Sequence, residues 1–173
     1  MVVLGASDYV GHCDPVYLYK GMWHHNGNNS PTGYLSDNTV YYVKSVMTSN
    51  GSTLTLNGST IMTSTNNHGS ANVPLWLFAK NYNGTFEPAN AAHVRLYEAK
   101  IYSDNALVRN FVPCKNPSGV VGLYDLITKT FYTNAGSGSF TAGNYVSKYE
   151  FMLTYSNSLS GYIPVEYIET TGT

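Results

Sequence analysis

Residues 120–134, VVGLYDLITKTFYTN, read as a chain that turns back on itself. VVGLYDLI is rich in strand formers, TKT supplies a turn, and FYTN returns. Gly122 permits a close backbone approach, Leu123 and Phe131 can enter a core, and Asp125 can receive the amides of the turn. The role of this stretch is architectural. Upstream, AAHVRLYEAKIYSDNALVRNFVPCK (residues 91–115) forms two strands around Ser103-Asp104-Asn105, whose Asx side chains favour a turn. Downstream, the glycines of NAGSGSFTAG (residues 134–143) close the hairpin in a compact loop.

The same punctuation runs through the N-terminal half. VVLGAS and PVYLYKG are strands divided by the turn-rich DYVGHCD, and GMWHHNGNNSPTG (residues 21–33) is polar and broken enough to be a long loop carrying an aromatic. NTVYYVKSVMT alternates Val40, Tyr42, Lys44 and Val46 on one side with Tyr41, Val43, Ser45 and Met47 on the other, so neither face is purely polar. TLTLNGSTIMT is a hairpin, because both positions of Asn57-Gly58 tolerate positive φ. VPLWLFAK (residues 73–80) is a strongly apolar strand with Trp76 in the core, followed by a turn at Asn83-Gly84. Closely spaced turns and no helical period predict a single all-β domain, an antiparallel β-sandwich.

Composition narrows the function. Charged residues are 11% of the chain, against about 25% in a typical domain, and the net charge is −1. Nine scattered basic residues give no footprint for nucleic acid or an anionic membrane. There is no apolar run of membrane-spanning length and no secretory leader pattern. Asn, Ser, Thr, Gly and 16 tyrosines wet the surface instead, a mixture typical of proteins outside cells or on virions. Two cysteines, Cys13 and Cys114, are too few for a disulfide framework; buried free thiols are expected, with a single bridge between them the other option.

RLYEAKIYSDNALVRNFVPCKNPSGVVGLYDLITKTFYTNAGSGSFTAG resembles the C-terminal half of the concanavalin A-like (laminin G-like) jelly-roll domains of secreted bacterial proteins and phage virion proteins. LTLNGST and PLWLFAKN match in order, so the resemblance covers roughly residues 1–143 and implies a two-sheet jelly roll there. It also implies that a segment similar to YIPVEYIETTGT comes first, whereas here it comes last (residues 162–173). Residues 144–173 are thus read as a linker and a C-terminal strand, with Val165, Tyr167 and Ile168 as its strand formers. A linker of about 17 residues can span on the order of 50 Å. It can lay the strand into its own sheet, hand it to a neighbouring copy, or begin a second repeat. YEFMLTY within the linker is itself strand-like.

Catalysis is not expected. Glycosidases on this architecture need two carboxylates across a cleft, most simply at alternate strand positions, and no such pair occurs; Glu166 and Glu169, three apart, point to opposite faces. His12-Cys13-Asp14 lacks a nucleophile elbow and reads as a turn. His24-His25 lacks further metal ligands at a suitable spacing. Asp104, Asn105 and Asp125 are too dispersed to assign the calcium that some laminin G-like domains hold, so no cofactor is expected. What remains is recognition by rings and amides. Trp23, His24, His25, Asn26 and Tyr34 of the long loop, with Tyr82 and Asn83 of the other polar turn, are the candidate ligand-binding residues. The expectation is a non-catalytic, glycan-binding or adhesion module at a cell-external or virion surface, with a structural assembly protein linked by strand exchange as the competing reading.

Overall fold

The computed structural model describes residues 2–7, 12–19, 22–25, 28–29, 34–65, 72–86, 93–136, 138–147, 150–151, 159 and 161–170. The chain is all-β, and it divides into two compact units, Met1–Ala92 and His93–Thr173. The division falls inside the span that the family resemblance covers.

Unit 1 opens with β1 (Val2–Ser7), β2 (His12–Tyr19), β3 (Met22–His25) and β4 (Asn28–Asn29). It continues through β5 (Val43–Thr48), β6 (Gly51–Leu56), β7 (Ser59–Ser64), β8 (Trp76–Leu77), β9 (Lys80–Tyr82) and β10 (Thr85–Phe86). One sheet has the order β10-β9-β1-β2-β3-β4 with β8 also on β1; the other is β5-β6-β7. Leu18 and Trp23 of the first sheet pack with Leu54, Leu56 and Met62 of the second, so the two layers share a core. Asn57-Gly58 and Asn83-Gly84 turn their hairpins with φ of 49° and 85°, and 50° and 84°, the positive pair that a two-residue turn requires.

Three local expectations are corrected here. His12-Cys13-Asp14, read as a turn, opens strand β2, where His12 pairs with Ser7 and Cys13 with Ala6. The stretch 21–33 is not simply a loop: β3 pairs antiparallel with β2, and β4 with β3. The apolar run 73–80 is not one strand. Leu77 of β8 pairs antiparallel with Leu4, whereas β9 runs parallel to β1 from Gly5↔Lys80. The chain reverses its sense at Phe78, which is buried and has a φ of 68°. Burial of the ring holds a backbone conformation that costs a non-glycine residue about 1–3 kcal/mol.

Unit 2 comprises β11 (Arg95–Leu96), β12 (Ala99–Ser103), β13 (Ala106–Lys115), β14 (Val121–Asp125) and β15 (Thr130–Tyr132). β16 (Thr141–Ala142), β17 (Ile163–Pro164) and β18 (Ile168–Glu169) complete it. One sheet is β12-β13-β14-β15 with β17 on β13, and the other is β11-β18-β16. Asp104 and Asn105, at φ 48° and 66°, make the β12–β13 turn. Val112, Cys114, Leu126, Phe151 and Leu159 form the buried cluster on one face of the larger sheet.

Glu150–Phe151 is a helical turn rather than a strand, which corrects the reading of YEFMLTY at those two positions; its other residues lie outside the described ones. Ser147 Oγ accepts the Glu150 amide at 3.1 Å, and Glu150 Oε2 accepts the Ser147 amide at 3.1 Å. This reciprocal pair is a capping box, legible as S-x-x-E.

Candidate functional site

Trp23 was expected on a solvated loop and is instead 4% exposed. Its ring meets Tyr41 edge-on, with centroids 5.6 Å apart, and its Nε1 donates to the Tyr34 carbonyl at 3.1 Å. A ring whose faces are packed and whose only polar atom bonds the backbone offers no platform to a sugar. His25, two positions along the same strand, shares that inward face and is fully buried. The expectation of a solvated loop is therefore corrected at Trp23 and His25.

The other candidates separate. His24 pairs through its backbone with Tyr17 and Asn29, its side chain lying outside the described atoms, and Asn26 lies outside the described residues. Tyr34 is 41% exposed. Tyr82 is half-buried on β9, and Asn83 is exposed in the turn that follows.

A face that the sequence reading left unassigned is more open. Along β5 the odd residues 43, 45 and 47 are partly buried and the even ones exposed. The exposed side carries Val40 at 65%, Tyr42 at 70% and Val46 at 39%. Cross-strand register sets Lys44, Thr55 and Thr60 in one row and Val46, Thr53 and Thr63 in the next. The mixed character of both faces of residues 40–47 was the signal.

Beyond the second row the face dips into a shallow groove of about 260 Å³, lined among others by Val46, Thr48, Asn50, Ser52, Thr53 and Thr63. Thr48 Oγ1 donates to the Gly51 carbonyl at 2.9 Å and accepts the Asn50 amide at 3.2 Å, which pins the end wall. Gly51 has a φ of 131°, and a Cβ there would strike the Ser64 carbonyl, so only glycine fits. Ser52 is 6% exposed, and its hydroxyl has no hydrogen-bond partner among the described residues.

The C-terminal segment sits within unit 2 of the same chain. Pro164 and Ile163 pair with Cys114 and Lys115, and the Val165 amide donates to the Pro113 carbonyl at 3.2 Å. Ile168, fully buried, lies between Leu96 and Ala142. The ring of Tyr167 packs against Gly143, where a Cβ would come within 2.6 Å of it, and lies 5.5 Å from the Tyr97 ring. Glu169 accepts Arg95 Nε at 2.9 Å, and its other oxygen lies 3.2 Å from His93 Nε2. The Arg95 bond holds the Glu169 carboxyl below the usual carboxylate range.

The VVGLYDLITKTFYTN motif is built around a buried carboxylate. Asp125 Oδ1 accepts the amides of Asn110 at 2.9 Å and Ile127 at 3.0 Å, and Oδ2 accepts Thr128 Oγ1 at 2.6 Å. Burial alone would raise its pKa, but these donors outweigh burial and lower it. A Cβ on Gly122 would lie 2.6 Å from the Phe131 ring.

Asp125 is remote from the Asp104-Asn105 turn. Six steps along β13 separate its partner Phe111 from Asn105, about 20 Å of strand, so the three residues considered for calcium do not converge. Among the described residues no three His, Cys, Asp or Glu side chains are grouped to hold a metal. Glu166 is exposed, whereas Glu169 is engaged as above. Cys114 is a buried free thiol whose pKa burial pushes up to about 12; the side chain of Cys13, like those of His12 and Asp14, lies outside the described atoms. No described helix is long and apolar enough to cross a membrane. No protein-family model matches the chain, and no curated protein or solved structure matches it.

Proposed function

We propose that this chain is a non-catalytic binding module that recognises glycans at the surface of a secreted or virion protein, and that the exposed face of β5-β6-β7 carries the ligand. The observation behind this reading is the placement of Tyr42, 70% exposed, on the same face as Val46 and the hydroxyls of Thr53, Thr55, Thr60 and Thr63. Sugars present apolar C–H faces and hydroxyl edges, and a tyrosine ring beside a hydroxyl lattice complements both. A concanavalin A-like jelly roll, as the sequence resemblance implies, is the architecture proposed for it. Tyr42→Ala removes a solvent-facing ring at little folding cost. On a glycan array the wild-type chain should bind and the variant should lose its hits; an array with no hits, or hits indifferent to Tyr42→Ala, would refute the reading.

A second reading, assembly by exchange of the C-terminal strand, is favoured by one observation: β18 is the central strand of its sheet, the partner of both β11 and β16. A segment held by backbone rungs and a buried Ile168 can be supplied by another copy. Concentration-dependent oligomers that disappear on deletion of residues 161–173 support it; a monomer at all concentrations refutes it.

A further inference from the structure

We infer that the groove at the Thr48–Gly51 end of the β5-β6-β7 sheet takes one neutral, hydroxyl-bearing ring: a pyranose with no carboxylate, sulfate or phosphate. This rests on the glycan-binding reading and adds to it a second subsite of stated chemistry, beginning at Val46, about 13 Å along the same face from Tyr42. The first support is charge. Among the described residues no ionisable side chain lines the groove, and Lys44 on that face stands in the next row. An acidic sugar would lose water from its anion with no counter-charge to compensate, whereas a neutral ring meets no such penalty.

The second support is hydrogen-bonding capacity. Asn50, Thr53 and Thr63, which carry an amide and two hydroxyls, are among the residues that line the groove. A hydroxyl both donates and accepts, and an amide carries both roles on two atoms. Vicinal sugar hydroxyls have the same dual character, so each can be matched without fixing which partner gives the proton. Val46, 39% exposed, adds a small apolar surface for one C–H face.

The third support is size. At about 260 Å³ the groove falls just below the range of about 300–1,000 Å³ that encloses drug-sized ligands, which suits a single ring rather than an oligosaccharide.

The test is an NMR titration of the full chain with methyl glycosides of neutral hexoses and N-acetylhexosamines, and in parallel with those of glucuronic and N-acetylneuraminic acids. Neutral glycosides should shift the Thr53 and Thr63 amide resonances saturably, with a Kd in about the millimolar range expected of one ring. Thr53→Val and Thr63→Val keep the shape and the strand propensity. Each should weaken binding about fivefold, the loss of one net hydrogen bond. If only the acidic glycosides bind, or if neutral ones bind but shift amides elsewhere and ignore both valine variants, the groove assignment is wrong while the glycan reading survives. If no glycoside binds and the glycan array is also blank, both are wrong.

Discussion

Replacing Ile168 with alanine should unfasten unit 2 at its smaller sheet. The side chain is fully buried on the strand that is hydrogen-bonded on one side to β11 and on the other to β16. Truncation removes three carbons from a packed site, which costs about 2–5 kcal/mol; a middle value near 3 lowers the folded-to-unfolded ratio roughly a hundredfold. Ile168→Val removes one carbon and should cost about 0.5–1.5 kcal/mol, while Glu166→Gln, on an exposed side chain, should stay within about 0.5. The assay must look at unit 2 itself, because both tryptophans, Trp23 and Trp76, belong to unit 1. Hydrogen exchange in increasing urea does so. The Gly143 amide, which donates to the Tyr167 carbonyl at 2.9 Å, and the Thr170 amide, which donates to Val94 at 3.1 Å, should lose protection together in Ile168→Ala. A cost below about 0.5 kcal/mol, with both amides protected as in the wild type, would mean that this segment is not the keystone described.

Gly122→Ala should destabilise unit 2 by about 1–3 kcal/mol through overpacking against Phe131, seen as a lower urea midpoint with the slope unchanged. The Asp125 pKa is lowered in the folded state, so its contribution is present above the unfolded value of about 3.9 and disappears as the pH falls through the lower folded value; Asp125→Asn should flatten that acid limb of the stability profile. In a Cys13→Ser background, Cys114 should resist a thiol reagent at pH 8 and react at once in denaturant, since burial keeps it protonated up to about pH 12. From about pH 8.5 upward the unfolded thiol ionises while the folded one does not, so stability should fall with rising pH; fast labelling of the native chain would contradict the burial.

The turns were legible because their chemistry is local. Asn57-Gly58, Asn83-Gly84 and Asp104-Asn105 each sit at a pair of positive φ angles that few other residues reach. The β14–β15 motif was legible for the same reason: Gly122, Leu123, Phe131 and Asp125 act within fifteen residues of one another. Trp23 and His25 were not, because β3 is four residues long and lies among asparagines and glycines whose composition resembles a loop. Nothing in that stretch announces that Leu54, Leu56 and Met62 will cover its inward face. Phe78 is a similar case, an aromatic in a conformation that propensity assigns to glycine. The candidate site was legible only as a class of chemistry, rings with hydroxyls and amides. Its place depends on which face of β5 the core leaves open, and that is decided by strands far away in sequence.

The pairing of Arg95 with Glu169 has a temporal consequence. During synthesis, unit 1 can assemble once residue 92 has emerged, whereas β11 must wait until some 74 further residues have been added before it meets β18, its partner among the described strands. Contacts so distant along the chain close slowly, and until then two strands present unpaired edges. Nascent chains halted between residues 92 and 160 should therefore be the forms most in need of chaperone protection.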